Sequence, residues 1–164
     1  MDIPGILISQ YLAALEMLKQ TIIQCPESIW NSSIDKNRTW QVAYHALFFT
    51  HLYVSDSEEA FTPWVKHREE ADNFDLSAIA EPYDKDTILE YLAFCQKEVA
   101  DRVPQLNLEE SFSGRPYNKL ELQIYSIRHI MQHTGELMER AGSRANAQID
   151  WVGSRHNKPK VITH

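Results

Sequence analysis

Cysteine is nearly absent. The 164 residues contain only Cys25 and Cys95, and neither belongs to a CxxC pair. A zinc-thiolate or dithiol redox motif is therefore not expected, and both thiols are read as small buried hydrophobes. Glycine is also scarce, at 5 residues, which disfavours a turn-rich β fold. Positive charge is in deficit, with 16 Lys and Arg against 23 Asp and Glu. No basic cluster is available to release phosphate counterions, so nucleic acid is excluded as the expected partner. The chain has no continuous apolar run long enough for a membrane span. The first residues, Met1-Asp2-Ile3-Pro4, lack the positive start of a secretory signal. The cytoplasm is the expected location, and the sequons at Asn31 and Asn37 carry no weight there.

What the chain does have is helical periodicity. Apolar residues make up 43% of it, enough for one domain over 1–164 with a real core. Leu7, Tyr11, Leu15, Leu18 and Ile22 repeat by three and four, predicting a helix over about 5–24 that stops before Pro26. Val42, His45, Phe49 and Leu52 predict a second over about 39–59, with Thr39 as its N-cap. Ile88, Leu92, Cys95, Val99 and Val103 predict a third over about 86–103, opened by Asp86 and closed by Pro104. Asn118 with Glu121 resembles a capping box and predicts a fourth over about 118–141, stopped by Gly142. Four such helices without a strand pattern imply an all-α four-helix bundle with a polar tail from about 143. The connection between the second and third helices, 61–85, is long and rich in aromatic residues, and is expected to pack against the bundle.

Three of the seven histidines fall on these helices in a suggestive pattern. His129 and His133 are four apart, close enough on one helix face to share an ion. HxxxH alone is a modest signal, since chance produces it as well. On the helical wheel Glu121, Arg128, Gln132 and Glu139 define a narrow polar stripe, and both histidines lie off it. Leu120, Ile124, Ile127, Met131 and Met138 lie opposite, so more than half the circumference is apolar and a homodimer is expected to cover part of it. His45 has Val42, Phe48, Phe49 and Leu52 around it, an imidazole on an inward face that needs a partner. His51 points elsewhere, His67 lies in the long loop, and His156 and His164 lie in the tail. Three neutral imidazoles would leave a fourth coordination position open, the pattern of a catalytic rather than a structural zinc site. Imidazole suits several ions, with zinc or nickel the leading candidates for the one divalent metal.

The runs Thr39-Trp40-Gln41-Val42-Ala43-Tyr44-His45 and Arg128-His129-Ile130-Met131-Gln132-His133-Thr134-Gly135-Glu136-Leu137 resemble the DinB-like superfamily. The resemblance covers nearly the whole chain and implies a four-helix bundle with one divalent metal on His45, His129 and His133. It further implies a metal-dependent transferase of low-molecular-weight thiols acting on an electrophilic small molecule, or a hydrolase with water in place of thiol. A non-catalytic, metal-stabilised bundle of the stress-response type is the alternative. Glu136 stands where the family has glutamine, and is a candidate hydrogen-bond partner of a ligand imidazole or bound water, or a fourth ligand. Gln41 and Tyr125, four residues before His45 and His129, are candidate pocket groups.

Overall fold

The computed structural model describes residues 1–69, 71–74 and 81–155. Residues 75–80 of the long connection, together with His156 and His164, lie outside that range. The described chain is mostly helical, with helices α1 (Ile3–Gln24), α2 (Glu27–Trp30), α3 (Thr39–Tyr53), α4 (Lys85–Arg102) and α5 (Lys119–Ala145). Among the described residues the only β pairing is an isolated bridge between Ser111 and Asn118.

The apolar stripes are the reason these segments are helices. Leu7, Tyr11, Leu15, Leu18 and Ile22 of α1, and Ile88, Leu92, Cys95, Val99 and Val103 of α4 and the 3-10 turn after it, are all buried. They meet in one hydrophobic cluster with α3 and α5. α1 and α3 each pack against both α4 and α5, so the four long helices enclose a common interior. Cys25 and Cys95 are buried free thiols, as the sequence suggests.

The helix ends depart from the sequence reading in ways that local chemistry explains. α3 stops at Tyr53, six residues short of the expected end. There the Ser55 hydroxyl donates to the Leu52 carbonyl at 2.5 Å, and Ser residues that satisfy backbone groups this way compete with helix continuation. Thr39 is the first residue of the helix rather than its cap; the Gln41 side chain accepts from the Arg38 amide at 3.0 Å and secures that end. Asp84, not Asp86, caps α4 by accepting from the Thr87 amide at 2.7 Å. α5 runs through Gly142 to Ala145 and ends on Asn146 in the left-handed region, φ 54°. Tertiary ion pairing carries it past the glycine, since Arg144 forks onto both carboxylate oxygens of Asp35. The short α2, not predicted, seats Ile29 and Trp30 in the core.

The described part of the long connection is packed, as its aromatic content predicts. Trp64 stacks on Tyr91, with ring centroids 4.5 Å apart, and Tyr83 stacks on Tyr44 at 4.8 Å. Trp30 Nε1 donates to the Tyr83 carbonyl. These contacts hold the connection against α2, α3 and α4, and its residues Asp72 and Phe74 lie against one histidine of α3.

Candidate metal centre

α3 is buried along its whole length except at His45 and Phe49. One turn apart, these two residues mark the strip of the helix that is not sealed by its neighbours. α5 faces that strip with His129 and His133, one turn apart from each other.

The three side chains converge. His129 Nε2 lies 3.2 Å from His45 Nε2 and 3.1 Å from His133 Nε2. All three donor atoms fall within 4.8 Å of one another. Around a tetrahedral ion with metal–nitrogen bonds near 2.0–2.1 Å, ligand nitrogens stand about 3.3 Å apart, so two of the three edges already match.

The surroundings of each ring agree with a ligand role. His45 Nδ1 lies 2.6 Å from the Asp72 carbonyl oxygen. A carbonyl can only accept, so Nδ1 carries the proton and Nε2 keeps its lone pair. His133 Nδ1 faces Glu136 Oε2 at 3.5 Å, long for a hydrogen bond but favourable for a proton on that nitrogen. Two lone pairs are thereby aimed at the place where His129 also directs Nε2. The buried Nδ1 of His129 has no hydrogen-bond partner among the described residues. Three nitrogens drawn together without enough protons to bond them fit a shared cation.

Burial acts on all three rings in the same direction. It pushes His45 below the ordinary imidazole range, against the pull of the Asp72 carbonyl. It lowers His129 to about 3, aided by His133 and His45. His133 is also lowered by burial, with Glu136 opposing. Each ring is neutral at pH 7, the form that binds a metal.

The other candidate residues have distinct places. Glu136 reaches the ring edge of His133 away from the convergence point, and its second oxygen is paired with Arg140. Arg140, itself buried, donates to the Asn37 carbonyl at 2.8 Å. Gln41 is fully buried and is engaged at the start of α3. Tyr125 stacks on His129, with centroids 6.1 Å apart and planes at 10°, and on Tyr117 at 5.7 Å. His51 and His67 do not join the trio. His51 packs against Phe61 and Phe94, and His67 Nδ1 bonds the Tyr44 hydroxyl at 2.7 Å.

Sequence reasoning missed Asp72 and Arg140, and placed Phe74 only within the connection expected to pack against the bundle. Phe74 stacks on His45 at 4.3 Å and stands edge-on to His133 at 6.0 Å, excluding water from one side of the rings. Asp72 acts through its backbone, which no side-chain pattern records. Arg140 could have been found, because Glu136 and Arg140 have i,i+4 spacing one turn beyond the HxxxH.

In comparisons with protein-family models, curated proteins and solved structures, nothing matched the chain.

Proposed function

We propose that this is a divalent-metal protein of DinB-like, four-helix-bundle type that uses a three-histidine centre to transfer a low-molecular-weight thiol to an electrophilic small molecule. The observation that carries the reading is the approach of His129 Nε2 to His45 Nε2 at 3.2 Å and to His133 Nε2 at 3.1 Å, where α5 faces the unsealed strip of α3. The residues quoted above supply the DinB-like resemblance. His45, His129 and His133 would hold one ion, zinc or nickel, as neutral ligands. When bound, such an ion stabilises a thiolate, or lowers the pKa of water in a hydrolytic variant of the same chemistry. The Asp72 carbonyl and Glu136 orient the ligand rings, and Phe74 shields them.

Two measurements test this. Protein purified without an affinity tag should contain about one zinc or nickel ion per chain by elemental analysis, and His129→Ala should lose it. The metal-loaded protein should accelerate alkylation of a cellular thiol by monobromobimane, and His129→Ala should not. Absence of metal from the wild type, with no response to added ion, would overturn the centre. Metal without thiol-dependent activity would overturn the transferase and leave a bundle in which the ion joins α3 to α5.

A further inference from the structure

Seven of the eight arginines have a partner. Arg102, Arg115, Arg140, Arg144 and Arg155 are in ion pairs, Arg38 donates to the Asn31 carbonyl, and Arg68 donates to the Glu81 carbonyl and covers the Tyr83 ring. Arg128 is exposed and makes no hydrogen bond, ion pair or ring contact among the described residues.

This is a property of its sequence surroundings. The chain pairs charges readily at i,i+4, as in Lys97 with Asp101, Glu98 with Arg102, and Glu136 with Arg140. Around Arg128 the positions three and four away on either side are Ile124, Tyr125, Met131 and Gln132, none of them acidic. In a protein of net charge −7, a guanidinium without a counter-charge is conspicuous.

Its location gives the vacant charge a use. Arg128, Tyr125, Met131, Gln132 and the metal-centre residue His129, all on α5, border one half-open surface cleft of about 420 Å³. The cleft combines a forked cation, an amide donor one turn further along, an apolar methionine and an aromatic ring stacked on His129. Among the described residues no carboxylate lines it.

We propose that the small molecule taken by the three-histidine centre is a carboxylate anion, whose carboxylate rests on Arg128 and Gln132 while its body lies along Tyr125 toward His129. A planar guanidinium matches a carboxylate bidentately, and Gln132 can add a further N–H. A neutral thiol of the same size would leave Arg128 unpaired. The inference rests on the metal-thiolate reading above and specifies its substrate class.

The test uses cobalt-loaded protein, whose thiolate-to-cobalt absorption reports binding without turnover. N-acetylcysteine is compared with its methyl ester, and glutathione with its diethyl ester. For at least one pair the free acid should bind about tenfold more tightly than the ester in the wild type. In Arg128→Gln that ratio should fall to near one, with cobalt content unchanged. Equal affinity for acid and ester in the wild type, or a preference that survives Arg128→Gln, overturns the anion site and leaves the metal centre standing. Failure to load cobalt overturns the centre itself, and this inference falls with it. Cobalt uptake without a thiolate band rejects the thiol and the anion site together.

Discussion

At His51 an imidazole has been taken out of water with little to replace it. Its Nδ1 faces the Tyr91 hydroxyl at 3.3 Å and its Nε2 is 4.0 Å from Glu98, whose carboxylate is already paired with Arg102. Phe61 and Phe94 cover the ring edgewise. Burial therefore dominates and lowers the ring to about 4, against the pull of Glu98 and with a small push from Arg102. In the unfolded chain the same imidazole titrates near 6.5, so the unfolded state takes up the proton first as pH falls. The contribution is complete above about pH 6.5 and is lost progressively down to about pH 4, on the order of 2–3 kcal/mol. Urea unfolding in chelator at pH 7.5, 6.0 and 5.0 should show His51→Leu losing less stability on acidification than the wild type. Parallel curves would show that His51 does not titrate this way.

Helix termini decide how α5 delivers its histidines. Asn118 caps the helix by accepting from the Glu121 amide at 2.8 Å, and the far end is tied to the α2–α3 loop through Arg140 and Arg144. Between these anchors lie His129 and His133. Asn118→Ala should remove about 1 kcal/mol of stability and leave metal stoichiometry intact, because the histidines are more than two turns from the cap. Urea unfolding with elemental analysis of the same sample checks both parts, and loss of metal in this variant would mean that the start of α5 also sets the histidine geometry. The residues that end or start each helix were only partly legible. Asn118 has the form of a cap and is one, whereas Thr39 and Asp86 have the form and yield to neighbours. Which of two adjacent polar residues caps a helix depends on where the chain turns, and that is set by packing.

Across the whole molecule, the candidate ion would link helices whose histidines are 84 positions apart, from His45 to His129. A ligand that binds only the folded state stabilises it by mass action. Chelator should accordingly lower the melting temperature of metal-loaded wild type by at least about 5 °C, given that each kcal/mol moves a domain of this size by roughly 2–4 °C. His45→Ala, already lacking the α3 ligand, should show little further change. An equal shift in both proteins would place the chelator effect elsewhere. No helix among the described residues is long and apolar enough to cross a membrane, in keeping with the sequence pattern.

The amino-acid order alone was enough for the helical stripes of α1 and α4, the burial of both cysteines, and the placing of His129 and His133 on one helix face, whereas singling out His45 with them also drew on the DinB-like resemblance. Those features are periodic or local, and a helix converts spacing directly into direction. The tertiary structure decided what spacing cannot express. It ended α3 at Tyr53, carried α5 past Gly142, placed a backbone carbonyl from the long connection behind His45, and set Arg140 behind Glu136. It also brought the ring nitrogens of His45 on α3 and His129 on α5 to within 3.2 Å, an outcome of how the whole core packs rather than of any one segment.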